Sequence, residues 1–293
     1  MPPRVNLLQP IAEVIPEKPI GTDDAFRQPS LPVGPKYLHH LFRRLIGRLE
    51  PQERLDLKAW ASNQAEWSMC TACSGTDAPV LVWQTLAEVL KADMGVKFAV
   101  HHLFSAEKHK GKQKFIAEMF PDLPVLVGNT SELRYPMVRN VLTGRPCKVP
   151  SAELIMAGFP CTDASTMNKD TGKLENKSCV LNSSLNTGSV FKDLLDYMDR
   201  HSERTVLGIF ENVLALAWPP KQPKGSDVAI PSNLSVAVAM LSEMQDCVTK
   251  CWHLDPRMFG VPQSRPRVWV VSFKRRVLRS LEARRYYTHN IKQ

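Results

Sequence analysis

Three short clusters carry side chains with chemistry. Pro160-Cys161 follows the apolar run Leu154-Ile155-Met156. That run reads as a buried strand, and it stops at Gly158-Phe159-Pro160 because proline has no N–H for the next ladder bond. The thiol of Cys161 then stands at the carboxyl edge of a sheet, where open α/β folds bind ligands. As a thiolate it is a strong nucleophile at a fixed position. Glu211 ends a second apolar run, Val206-Leu207-Gly208-Ile209-Phe210, and is followed by Asn212-Val213. It places a carboxyl group at another strand end. The third cluster, Gln263-Ser264-Arg265-Pro266-Arg267, feeds directly into Val268-Trp269-Val270-Val271-Ser272-Phe273. It is a Pro-stiffened polar loop with two guanidinium groups before a β-branched strand. Singly, each cluster has a plainer reading: a small buried cysteine, a surface glutamate, a solvated loop.

Taken together and in this order, the clusters resemble the cytosine-5 methyltransferase family, over roughly residues 67–273. Its Pro-Cys, Glu-Asn-Val and Gln-x-Arg-x-Arg motifs match Pro160-Cys161, Glu211-Asn212-Val213 and Gln263 to Arg267. Thr162 stands where the family usually has Gln. The resemblance implies that Cys161 adds to carbon 6 of a cytosine flipped out of its duplex, which makes carbon 5 nucleophilic toward a methyl sulfonium. It implies that Glu211, with a raised pKa, supplies a proton or strong hydrogen bond at ring nitrogen 3. It also implies that Arg265 and Arg267 hold the base carbonyl and orient the site, a task suited to a planar guanidinium.

The same resemblance puts the cofactor, S-adenosyl-L-methionine, upstream. Trp67 to Cys73 reads as the first strand, and Ser74-Gly75-Thr76-Asp77-Ala78-Pro79 as a tight turn into a helix with proline in its first turn. Val80, Leu81, Trp83, Leu86, Ala87, Val89 and Leu90 give that helix an apolar face. Gly75 matches the family's Gly-rich loop, but Asp77 and Ala78 replace its later glycines. Glu107 ends the next strand and matches the ribose-binding acid. Asn129 stands where an acid contacts the adenine. The implied cofactor set is Cys73, Ser74, Gly75, Thr76, Glu107, Asn129, Thr130 and Pro160, with no metal.

Strands are expected to end near Cys73, Glu107, Asn129, Pro160, Val213, Asp255 and Phe273, with helices between most of them. That alternation predicts an α/β, Rossmann-like methyltransferase fold: a doubly wound, mostly parallel seven-stranded sheet with a reversed edge strand. Residues 1–35 hold eight of the 23 prolines and read as a disordered tail. Residues 36–66 read as a helical flank striped by Tyr37, Leu38, Leu41, Phe42, Leu45 and Ile46. Residues 67–273 form the catalytic domain, and 274–293 a basic tail. Asp163 to Ser189 is long and polar, and is expected to be a mobile lid.

Composition agrees. A chain of 293 residues with 43% hydrophobic content can bury a full core. Its seven cysteines show no disulfide or zinc spacing, which points to a reducing intracellular compartment, nuclear in a eukaryote. No apolar run has transmembrane length. A net charge of +9 favours a polyanionic partner. The expected activity is methyl transfer to carbon 5 of cytosine in DNA through a Cys161 adduct. RNA as substrate, and an inactive regulatory homologue, are the alternatives. The family continues past its arginine strand into a target-recognition region and two further motifs, whereas 20 residues follow Phe273. Target recognition is then expected either from sequence beyond a partial or truncated chain or from a partner chain's DNA-binding surface, and the sequence leaves both open.

Overall fold

The computed structural model describes residues 35–63, 66–170, 172–220, 230–259 and 263–276. The tails expected at residues 1–35 and 274–293 lie almost entirely outside them. Two helices open the described chain, α1 (Pro35–Arg48) and α2 (Pro51–Asn63). Strands and helices then alternate: β1 (Glu66–Ala72), α3 (Ala78–Met94), β2 (Ala99–Ala106), α4 (Lys110–Met119) and β3 (Val125–Val127). A small hairpin follows, β4 (Met137–Arg139) and β5 (Pro146–Lys148), before β6 (Leu154–Ala157). The second half comprises α5 (Leu174–Lys177), α6 (Leu185–Arg200), β7 (Leu207–Val213), α7 (Asn233–Glu243), β8 (Cys247–Leu254) and β9 (Arg267–Lys274).

Seven strands form one sheet in the order β3-β2-β1-β6-β7-β9-β8. β1, β2, β3, β6 and β7 run parallel. β9 is antiparallel to both β7 and β8. The reversed strand therefore lies one place in from the edge, not at the edge. Only residues 255–266 separate β8 from β9, too few for the helical crossover a parallel return usually needs, so β9 returns antiparallel and takes the free side of β7. This reversal matters for the site. The first residue of β9, Arg267, pairs with the last residue of β7, Val213, and so reaches the same rim as the carboxyl ends of the parallel strands.

The sheet is covered on both faces, which is why β1 is buried almost throughout instead of alternating. One face packs Trp67, Met69 and Leu154 against Val80, Val89 and Leu90 of α3, with Ile46 of α1 and Ala61 of α2 behind. Trp60 meets Trp67 edge-on at 5.2 Å, and Arg43 pairs with Asp93 at 3.0 Å. The helical flank thus packs as a structural layer on α3. The other face buries Phe104, Phe159 and Phe210 under Phe191, Leu194 and Tyr197 of α6 and Leu234 and Leu241 of α7. Among the described residues no helix is long and apolar enough to cross a membrane.

The segment expected as a lid is tied down at several points. Cys179 and Val180 are buried, and α6 begins within it. Asn176 Nδ2 donates to the Asp163 carbonyl at 3.0 Å, and Asn233 Oδ1 accepts from Val180 N–H at 3.0 Å. Met167, by contrast, is 94% exposed.

Candidate active site

Two adjacent strand ends hold Cys161 and Glu211, the residues expected as nucleophile and acid. β6 pairs with β7 so that Ala157 lies beside Phe210, which brings the loop Gly158 to Cys161 level with Glu211 and Asn212. Asn212 is buried, and its Nδ2 donates to the Phe159 carbonyl at 3.1 Å and reaches the Pro160 carbonyl at 3.5 Å. Its Oδ1 accepts from Val213 N–H at 2.8 Å. One amide side chain therefore braces the Pro-Cys loop against β7. A Cβ on Gly158 would sit 3.3 Å from Glu211 Oε2, so the loop approaches the carboxylate closely only because this residue lacks one. Cys161 is half-buried, and its carbonyl accepts from Ala164 and Ser165 N–H groups in a tight turn.

Arg267 completes this half. Its Nε lies 2.6 Å from Glu211 Oε1, with the two side chains 22% and 26% exposed. A charge-assisted pair of this length fixes both groups at the rim. Arg265 is not brought in the same way. It is exposed, and among the described residues it makes no ion pair.

Where the sequence implies the cofactor there is a cleft of about 480 Å³, within the size range of small-molecule sites. Cys73, Glu107, Asn129, Thr130 and Pro160 line it, as the sequence implies. Glu107 is held by backbone donors: Gly75 N–H to Oε2 and His109 N–H to Oε1, both at 2.8 Å. Each carboxylate oxygen keeps a further lone pair for a hydroxyl. Gly75, at φ +62, thus shapes the cleft through its N–H. Ser74 turns inward, with its Oγ 2.6 Å from Thr71 Oγ1, so its side chain supports the loop and does not face the cleft. Thr76 is exposed and does not line it. Gly158 and Pro160 form the far end of the cleft, so the two halves meet at the nucleophile loop.

Sequence reasoning missed the wall opposite β2. Asn186, Ser189, Val190 and Asp193 of α6 line the cleft. Their i, i+3, i+4, i+7 spacing marks one helix face, hidden by the apolar residues around it. Asp193 pairs with Arg134 and accepts from Thr130 Oγ1. Asp77 is also more than a lost glycine. It adopts φ +55, a left-handed conformation that Asp tolerates better than most residues. Its fully buried carboxylate accepts from Thr71 Oγ1 and Ser105 Oγ at 2.5 Å. Burial pushes its pKa up. His102, whose ring lies 3.8 Å away, is pushed down to about 4 by burial. This network lies directly beneath the cofactor loop. Among the described residues no cluster of metal-ligating side chains occurs.

Sheet order, the single reversed strand and a cleft at the carboxyl rim define a Rossmann-like, methyltransferase-type α/β domain. The chain belongs to the C-5 cytosine-specific DNA methylase family, whose sequence profile matches residues 100–292. It is 29% identical over 157 residues to the DNA (cytosine-5-)-methyltransferase DMT5 of Cryptococcus neoformans, covering 53% of this chain and 6% of that protein. It is 33% identical over 103 residues to the DMT5 of Verticillium dahliae, covering 33% of this chain and 4% of that protein. The chain therefore spans a small fraction of the length of these relatives. Among solved structures it is similar to the Dnmt2 methyltransferase of S. pombe, with a TM-score of 0.42 and 9% identity over 71% of this chain and 50% of that one. That likeness concerns the fold alone.

Proposed function

We propose that this domain transfers a methyl group from S-adenosyl-L-methionine to carbon 5 of cytosine in DNA. The observation that carries the reading is the convergence of three separate motifs on one rim. Asn212 braces the Pro160-Cys161 loop, and Glu211 beside it is paired with Arg267. Cys161 is the nucleophile that adds to carbon 6 of the base, and the electron pair moves to carbon 5. Glu211 faces ring nitrogen 3 and supplies the hydrogen bond or proton there. Arg267 holds that carboxyl group in place, and Arg265 is assigned to the base carbonyl or a flanking phosphate. The cofactor supplies an electrophilic methyl group when bound.

The cleft fits that cofactor. Glu107 offers the carboxylate that ribose hydroxyls require, Asn129 and Thr130 stand beside it for the adenine, and Cys73 and Pro160 close the ends. The base must leave its duplex to reach Cys161. Lys108 and Lys112 at the cleft and a net charge of +9 suit a polyanionic substrate. Base-specific contacts are assigned to elements beyond this domain, on the same protein or a partner chain. Seven free cysteines suit a reducing compartment, the nucleus in a eukaryote. The test is tritium transfer from labelled cofactor to DNA or to RNA, with trapping on DNA containing 5-fluorocytosine. Transfer to DNA and a covalent adduct lost in Cys161→Ala are expected. Transfer to RNA alone, or an adduct that survives Cys161→Ala, overturns the reading.

A further inference from the structure

The helix that walls the cofactor cleft has an unusual start. The residue before α6, Ser184, makes no side-chain cap bond, and no acid occupies the first turn. The hydroxyls of Ser184 and Thr187 are buried without a partner. Ser183 and Leu185, on either side of the cap, adopt φ +49 and +53, a left-handed conformation disfavoured for side chains of this kind. Strained backbone of this sort persists only where the surroundings hold it.

Backbone bonds from Ser183 N–H to the Val180 carbonyl at 3.2 Å and from Ser184 N–H to the Cys179 carbonyl at 2.9 Å hold this start, and an acid from another loop joins them. Thr187 N–H, in the first turn of α6 and fully buried, donates to Asp163 Oδ2 at 2.6 Å. A carboxylate on a helix's first-turn N–H satisfies an orphan donor and opposes the positive end of the helix dipole. Asp163 stands two residues after Cys161, inside the turn closed on the Cys161 carbonyl by Ala164 and Ser165. Its own carbonyl accepts from Asn176. Phe159, on the other side of Cys161, packs on Phe191 of α6 at 5.2 Å. The nucleophile loop is thus fastened to α6 on both sides of the cysteine. The same helix presents Asn186, Ser189 and Val190 to the cleft.

We propose that Asp163 is a positioning residue that caps α6 from outside the helix and so couples the cofactor wall to the placement of Cys161. The inference rests on the assignment of the cleft to the cofactor and of Cys161 as nucleophile. A cofactor pressing on α6 changes the setting of the thiol mainly through this carboxylate, beside the Phe159–Phe191 contact, and by reciprocity a base held at Cys161 changes cofactor affinity.

The test compares the wild-type chain with Asp163→Ala and Asp163→Asn. Iodoacetamide labelling of Cys161 is followed by peptide mass spectrometry, with and without S-adenosylhomocysteine, and with Cys147 as internal control. Hydrogen exchange reports the Thr187 amide. Loss of a hydrogen bond to a charged group is expected to speed Thr187 exchange about tenfold or more in the alanine variant. Saturating S-adenosylhomocysteine is expected to change Cys161 labelling at least about fivefold in wild type and by less than about twofold in Asp163→Ala, a wild-type coupling of the usual size. Cys147 should be unaffected, and Asp163→Asn, which keeps an acceptor oxygen, should recover part of both effects. Should the alanine variant fail to fold, the asparagine variant carries the comparison. Wild-type behaviour of both variants at Thr187 and Cys161 overturns the proposal. Absence of S-adenosylhomocysteine binding to wild type by calorimetry overturns the cofactor assignment instead, and the labelling and exchange rates without ligand then decide the tie between Asp163 and α6.

Discussion

Replacing Asn212 by alanine separates bracing from chemistry, because this side chain touches neither cofactor nor base. It is 2% exposed. Its loss orphans the buried Phe159 carbonyl and the half-buried Val213 N–H. The Pro160 contact at 3.5 Å is too long to count as a third. Each orphan costs about 1–3 kcal/mol. A water entering the vacated polar space recovers part of that, which leaves a net loss of about 2–4 kcal/mol. At about 2–4 °C per kcal/mol for a domain of this size, the melting temperature should fall by about 4–16 °C. Freed from its brace, the Pro-Cys loop shifts, and a displacement near 1 Å slows adduct formation on the order of 10²-fold. Asn212→Asp sharpens the test. It keeps an acceptor for Val213 N–H but turns a second oxygen on the Phe159 carbonyl, so it should be at least as destabilising as alanine. Calorimetric melting and 5-fluorocytosine trapping read the two effects. An unchanged melting temperature with trapping within twofold of wild type, or an aspartate variant more stable than the alanine one, refutes the reasoning.

Glu107→Ala should weaken S-adenosylhomocysteine binding in calorimetry about tenfold or more, since the carboxylate is proposed to take the ribose hydroxyls and holds Gly75 N–H at 2.8 Å. Gly188→Ala should destabilise the fold by about 1–3 kcal/mol despite alanine's better helix propensity, because its Cβ would penetrate the Cys179 carbonyl. Its thermal melt and cofactor affinity should drop together. The low pKa of His102, about 4 against 6.5, makes its stabilising share complete above pH 6.5 and lost as the pH falls toward 4, a window of about 3 kcal/mol. Asp77, raised by burial, works in the opposite sense, so His102→Asn compared with wild type at pH 7 and 4.5 isolates the histidine. The variant should lose less stability on acidification. DNA binding by the isolated chain should be indifferent to sequence and steeply salt-dependent, with Kd about 10⁻⁴–10⁻⁶ M at physiological salt. Nanomolar selective binding in fluorescence anisotropy contradicts it.

The rim was legible in the sequence because each central strand is an apolar run ended by a residue with chemistry. Leu154 to Met156 stops at a proline, and Leu207 to Phe210 stops at a carboxylate. Such breaks depend on local backbone rules. The hairpin β4–β5 was missed because its strands are three residues each and one begins with proline, which leaves no period to detect. The place of β9 was not local either. Two antiparallel partners on its two sides are set by tertiary pairing, not by its own alternation. Asp77 read as a departure from a glycine loop. Its buried bonds to Thr71 and Ser105 link positions 6 and 28 residues apart, beyond any local pattern. Asn186, Ser189 and Asp193 were readable in principle as a polar stripe, but the same helix carries a stronger apolar one through Phe191, Leu194 and Met198.

The reversed strand also sets the order in which the domain can be completed during synthesis. β8 leaves the ribosome before β9, its one ladder neighbour among the described residues. Until residue 274 is free, β7 presents Leu207–Val213 as a bare edge, and bare edges recruit strands from other chains. The cofactor cleft can close on residues up to Asp193, but Glu211 lacks its arginine until the last strand slides between its neighbours. On the proposed function, a nascent chain completes its cofactor cleft before the pair that acts on a base. Its most aggregation-prone interval is the time needed to synthesise and insert the 28 residues from Cys247 through Lys274.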